Sequence, residues 1–253
     1  MAVVHDIAPG GGWSLRLDWH DESVWQQRLQ RDREVATCNQ SAEQRAITET
    51  LMSRAREGGA SAFALTGSTA RAQRTAISDL DYHVIGERPL HSDLPDDVDI
   101  YATDLPGFWG KLNQGDDFVQ WTLRYGCVLF DEGGFQQGMQ HLAKEDLWPS
   151  PALKFARLAE HIRLARRLIS MGDRDAAQDQ VRATLTSVSR GLLLSARVFP
   201  LARAELPQQL TTVGFPELGQ ALHQSIGSEL TLDQLSQALD LVDGSTPVEA
   251  LAS

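Results

Sequence analysis

A chain of 253 residues with 42% apolar composition can bury one large core or two modest ones, and its two cysteines are too few for a disulfide framework. The formal net charge of −11 argues against a polymerase or a general RNA binder, because such proteins neutralise phosphates with a broad basic face. No apolar run is long enough to span a membrane, and the stretch from Met1 to Asp6 has neither the basic segment nor the apolar core of a secretory signal. The reading is a cytoplasmic protein with no nucleic-acid and no membrane partner.

Residues 1–12 end in Gly10-Gly11-Gly12 and are expected to begin without order. Trp13 to Trp19 alternates apolar and polar residues, which predicts a short strand, and Glu22 to Val35 has the pattern of a helix. Residues 1–40 are read together as an N-terminal extension. Ser41 with Gln44 is a capping box, Ile47, Leu51 and Ala55 give the following helix an apolar face, and Gly58-Gly59 stops it. Strands are then predicted at Ala60 to Thr66, Asp79 to Ile85 and Val98 to Thr103, with a helical turn or two from Thr69 to Thr75. Phe108, Trp109 and Leu112, then Phe118, Val119 and Leu123, mark two helices that pack on the sheet, with breaks at Gly115 and Gly126 before a strand at Cys127 to Phe130. Trp109 and Trp121 are placed in the core rather than against a base, and Cys38 and Cys127 lack metal-site spacing.

After Pro151 the period becomes helical throughout. Phe155, Leu158, Ile162, Ala165 and Ile169 line one helix that Gly172 ends, and Asp173 or Asp175 caps the next, whose face is Val181, Leu185, Val188 and Leu192. Pro200 ends that helix, and Thr231 with Gln234 caps a later one bearing Leu232, Leu235 and Leu239. The predicted fold class is therefore α/β followed by an all-α bundle, with domains at 41–147 and 148–253.

The chemistry concentrates in two short stretches. Phe63-Ala64-Leu65-Thr66 is an apolar strand running into a Gly67-Ser68 turn, and Asp79-Leu80-Asp81-Tyr82 follows after a polar spacer. Side chains two apart on a strand share a face, so Asp79 and Asp81 project together while Leu80, Tyr82 and Val84 turn to the core. Two carboxylates so placed can hold divalent cations. Glycine lets the backbone approach a phosphate, and Ser68 adds a hydroxyl near a helix start, where backbone donors favour anions. Asp99 lies inside the alternating segment Asp97-Val98-Asp99-Ile100-Tyr101 and is the better third carboxylate, since Asp97 belongs to the acidic approach Asp96-Asp97.

Leu65-Thr66-Gly67-Ser68 and Asp79-Leu80-Asp81-Tyr82 together resemble the signature of the nucleotidyltransferase superfamily related to DNA polymerase β, over roughly residues 60 to 131. The resemblance implies a small mixed-sheet catalytic domain in which Asp79, Asp81 and Asp99 hold two Mg²⁺ ions and Gly67 and Ser68 grip a nucleoside triphosphate, expected to be ATP. Arg71 is expected to contact phosphate or the acidic strand, and one departure stands out: where close relatives read Gly-Ser-x-Ala-Arg-Gly, this chain has Ala72. Tyr125 to Asp131 looks like the segment that closes the catalytic domain of bacterial small nucleotidyltransferases.

Enzymes of this layout include antibiotic nucleotidyltransferases acting on aminoglycosides or lincosamides, so the implied acceptor is a hydroxyl-bearing small molecule, cationic in keeping with the acidic chain. Asp99, or Glu160 on the helical half, is the expected proton acceptor. Lys154, Arg157 and His161 share a stripe that either faces the triphosphate or is a solvated helix face. The other classes are an enzyme of the toxin and antitoxin type that adenylylates a partner protein, and a degenerate nucleotide-binding regulator. Relatives include dimers, which leaves a homodimer open.

Overall fold

The computed structural model describes residues 7–8, 12–13, 18–74, 78–89, 95 and 97–245. The chain divides into two compact units, Met1–Pro149 and Ser150–Ser253. The first is mixed α/β and the second is all α.

In the first unit, β1 (Ile7–Ala8) and β2 (Gly12–Trp13) form an antiparallel pair ahead of α1 (Glu22–Asn39) and α2 (Ala42–Glu57). There follow β3 (Ala62–Leu65), the single turn α3 (Gly67–Ala70), β4 (Leu80–Ile85), β5 (Val98–Thr103), α4 (Leu105–Asn113), α5 (Asp117–Tyr125), β6 (Cys127–Asp131) and α6 (Gly134–Glu145). The main sheet has the order β5-β4-β3-β6, with β3 antiparallel to both neighbours and β4 parallel to β5. Its centre is buried on both faces, so β3 reads as the continuous apolar run Ala62-Phe63-Ala64-Leu65, all of it inaccessible to solvent.

One face of the sheet packs Phe63 and Tyr82 at 5.2 Å between ring centres and Phe63 on Phe130 at 6.1 Å, and the Tyr82 hydroxyl meets Thr48 of α2 at 2.7 Å. The other carries Ala62, Ala64, Ile85 and Val128 into a core completed by Phe108, Leu112, Val119, Leu123, Phe135 and Met139. The capping box of α2 forms between Ser41 and Gln44, and Gly59 adopts φ 74° just beyond its end.

Several predictions need correction. The strand expected from Trp13 to Trp19 is absent at its end, where Asp18 to His20 form a turn, and residues 14–17 fall outside the described set, as do Thr75 and Asp96. The helix expected to stop at Val35 runs to Asn39. Far from standing apart, α1 is built into the first unit through a fully buried Arg28, which donates to Asp32 at 3.2 Å and to the Leu123 carbonyl at 2.8 Å. Asp32 in turn accepts from the Val128 amide at 2.9 Å and from Trp13 Nε1 at 3.0 Å. The Arg28 guanidinium lies 5.0 to 5.6 Å from the ring centres of Trp13, Trp19 and Trp25. The helix α6 was not expected; its buried Phe135, Met139 and Leu142 follow helical spacing after the turn at Glu132 and Gly133.

In the second unit the helix predicted over Phe155 to Ile169 divides at Ala156 and Arg157 into α7 (Ala152–Phe155) and α8 (Leu158–Ser170). The longest helix, α9 (Arg174–Ser195), is capped by Asp173 and forms the spine against which the others pack. Two further helices, α10 (Leu206–Thr212) and α11 (Pro216–Gly227), were not foreseen, and each carries a proline in its first turn, where a missing N–H costs nothing. The last, α12 (Leu232–Ser245), starts from the predicted cap, with Gln234 N–H donating to Thr231 Oγ1 at 3.3 Å. No helix among the described residues is long and apolar enough to cross a membrane.

Candidate active site

The site is built at one edge of the main sheet. In the parallel pairing of β4 with β5, Asp81 stands opposite Asp99 and His83 opposite Tyr101. Register partners share a face, so the two carboxylates form one row and the imidazole and phenol form the next. Asp99 is exposed and Asp81 half-buried. Asp79 is also exposed, at the residue just before β4, while Asp97 is engaged by Arg74 at 3.2 Å.

The turn after β3 comes directly against this row. The Thr66 amide donates to the Asp81 carbonyl at 2.8 Å, and Gly67 takes φ 65°. A Cβ on Gly67 would lie 1.9 Å from Asp81 Oδ2 and 2.8 Å from Asp81 Cγ, so the absence of a side chain is what admits the carboxylate. Ser68 follows, half-buried, and its carbonyl accepts from the Arg71 and Gln73 amides at 3.2 and 2.9 Å, closing the loop. Ala72 then adopts φ 55°, a left-handed conformation held without glycine. The Arg71 guanidinium lies 5.2 Å from the centre of the Tyr125 ring.

Behind the carboxylates the second row is fixed by aromatic packing. The His83 ring is fully buried, with ring centres of Tyr101, Phe118 and Phe135 at 5.0, 5.5 and 5.4 Å. Its Nδ1 lies 3.0 Å from the Thr122 hydroxyl, which also reaches the Phe118 carbonyl at 3.2 Å, and its Nε2 lies 3.4 Å from the Thr103 hydroxyl. Burial, and then the charge of Lys111, push the imidazole down to about 3, which keeps it neutral.

A cavity of about 280 Å³ opens on this corner, lined by Asp81, Tyr82, Asp99, Tyr101, Lys111, Asp116 and Phe118. Lys111, from the last turn of α4, donates to the Tyr101 hydroxyl. Asp116 caps α5 by accepting from the Phe118 and Val119 amides, both at 3.0 Å. The role of Tyr101 was open to period-two counting, because it follows Asp99 by two residues on one strand. Lys111 gave no such signal, since it sits alone among apolar residues of a helix.

The structure thus brings Gly67, Asp81 and Asp99 together, with Ser68 beside Gly67 in the turn. Lys154 and Glu160 belong to the second unit, on α7 and α8. Glu160 is exposed and accepts from Arg157 Nε at 3.3 Å, and the Lys154 backbone carbonyl accepts from the Ser187 hydroxyl at 2.8 Å.

Among the described residues no three His, Cys, Asp or Glu side chains are grouped as a ready cage for a metal ion. The paired carboxylates of Asp81 and Asp99 still fit a hard cation of the Mg²⁺ kind, which binds through one or two carboxylates and completes its shell with water and substrate phosphate oxygens.

No protein-family model matches the chain, and no curated protein matches it either. Among solved structures, it is similar to a nucleotidyltransferase-like protein from Exiguobacterium sibiricum 255-15, at 20% identity and a TM-score of 0.40, over 78% of this chain and 72% of that one.

Proposed function

We propose that this chain is a nucleotidyltransferase that moves a nucleoside monophosphate from a triphosphate, ATP in this reading, to a hydroxyl of a small-molecule acceptor. The observation that carries the reading is the row formed by Asp81 and Asp99 with the Gly67 backbone packed against Asp81. Two carboxylates beside a glycine turn suit metal-assisted phosphoryl chemistry.

In the transfer, a lone pair of the acceptor oxygen forms the new bond to the α-phosphorus while the bond from that phosphorus to the α,β-bridging oxygen breaks. Pyrophosphate leaves with the electron pair, and the hydroxyl proton passes to a carboxylate and then to water. Asp99 suits that proton better than Glu160, because Asp99 shares the row with Asp81 whereas Glu160 is occupied by Arg157 on the second unit. Asp81 and Asp99 would hold Mg²⁺, which when bound neutralises the phosphates and steadies attacking and leaving oxygens, while the exposed Asp79, expected as a third ligand, stands outside the cavity they line. Gly67 and Ser68 would bind the β and γ phosphates through backbone N–H groups and a hydroxyl, with Arg71 as a nearby cation. An amine-bearing acceptor suits a net charge of −11.

The test incubates the protein with Mg²⁺, α-labelled ATP and a panel of aminoglycosides and lincosamides, and looks by mass spectrometry for an added adenylate. Label appearing on a co-purifying protein would replace the small-molecule acceptor with a protein one. Failure of all four triphosphates to bind or react would overturn the reading.

A further inference from the structure

The corner occupied by Lys111 is not used by any phosphate contact read from the sequence, and its geometry asks for an anion. Lys111 is half-buried, lines the same 280 Å³ cavity as Asp81 and Asp99, and has its ammonium 4.6 Å from the centre of the Tyr101 ring as well as donating to its hydroxyl. Among the described residues it forms no ion pair with a carboxylate. An ammonium carries three donors, and the Tyr101 hydroxyl oxygen engages one of them, so two remain for oxygens entering the cavity.

The support beneath the lysine is rigid. Tyr101 is locked by Phe118 at 4.7 Å and by His83 at 5.0 Å, both edge to face. Among the described residues lining this cavity Lys111 is the one lysine or arginine, and of the three carboxylates there Asp116 accepts from two α5 amides while Asp81 and Asp99 are those a bound cation would neutralise.

We propose that Lys111 is a catalytic residue of the transfer, holding a non-bridging oxygen of the triphosphate at the Asp99 side, and that Tyr101 is the positioning residue that aims it. This rests on the nucleotidyl-transfer reading. No new bond is made by the lysine: as the acceptor oxygen attacks and pyrophosphate departs, the ammonium meets the charge gathered on the phosphoryl oxygens and keeps its own proton.

The experiment measures binding of Mg·ATP, Mg·tripolyphosphate and adenosine by calorimetry to the wild-type protein and to Lys111→Met, Lys111→Arg and Tyr101→Phe. A charge-assisted contact predicts that Lys111→Met weakens both phosphate ligands by a similar factor, roughly ten- to a hundredfold, and leaves adenosine alone. Lys111→Arg should restore most of the loss, and Tyr101→Phe should give an intermediate one. Thermal unfolding of each variant confirms that it is folded, and Lys111→Gln, with the same expected loss, carries the test if the methionine variant is not. If wild type binds Mg·tripolyphosphate and Lys111→Met binds it equally well, the role of Lys111 is overturned while the wider reading stands. If wild type binds neither phosphate ligand, the wider reading fails and this inference falls with it.

Discussion

Gly67 and Asp81 are packed so closely that the carboxylate occupies the space a side chain on residue 67 would need, 1.9 Å from the Cβ position. The glycine turn and the acidic strand are thereby one construction. Gly67→Ala must turn the Asp81 carboxylate away and also hold φ 65° with a Cβ, a strain of about 1 to 2 kcal/mol. The expected outcome is a modest drop in stability, read by urea unfolding, with a much larger loss of Mg²⁺-dependent triphosphate binding. Ser68→Ala removes a hydroxyl and no backbone donor, and should cost only about 1 to 2 kcal/mol of binding.

Ala72 offers the opposite test. It holds a left-handed backbone at φ 55° where a glycine would be unstrained. Ala72→Gly should therefore stabilise the protein by about 0.5 to 1 kcal/mol, the relief of strain being partly offset by a looser unfolded chain. Equal or lower stability in a denaturant titration would show that the turn gains more from the methyl group than it loses in strain.

His83 gives a dependence on acidity with a defined sign. Its folded value is lowered from 6.5 to about 3, so between those values the unfolded chain takes up a proton that the folded chain refuses. This contribution to stability is complete above pH 6.5 and is lost as the pH falls toward 3. Within that window it amounts to about 1.4 kcal/mol per pH unit. His83→Gln should flatten the decline by about that slope. Identical slopes in urea unfolding at pH 7, 6 and 5 would refute the assignment.

The buried pair on α1 predicts the costliest single change. Arg28→Met leaves Asp32 without its guanidinium in a site closed by Trp13, Trp19 and Trp25, and should lose about 3 to 5 kcal/mol. Arg28→Met combined with Asp32→Leu should recover part of that loss, since no buried charge then remains, although Val128 N–H and Trp13 Nε1 lose their acceptor.

How much of this was legible in the sequence follows from the range over which each signal acts. Period two placed Val98 to Thr103 as a strand with Asp99 outward, and a local capping pattern placed the start of α2, because both depend on residues within one turn or strand. That Asp81 meets Asp99 depends on strand register, which only tertiary pairing fixes. The built-in position of α1 was hidden for a related reason: Arg28 and Asp32 look like solvent-facing charges until Leu123 and Val128, distant in the chain, supply their partners. The helix α6 was lost behind Gly133 and Gly134, and α10 and α11 behind prolines that mark helix starts as readily as breaks. Lys111 is the clearest gap, since its relation to Tyr101 joins a strand to the helix that follows it.

The central claim is that Asp81 and Asp99 form a site for a cation-bound triphosphate. Its most direct test is calorimetric titration of ATP into wild-type protein, Asp81→Asn and Asp99→Asn, each with and without Mg²⁺. The account predicts binding by wild type that requires Mg²⁺ and weakens at least about tenfold in either variant, with thermal stability preserved. Binding that ignores both Mg²⁺ and the two substitutions, or no binding by wild type to any of the four nucleoside triphosphates, would contradict it.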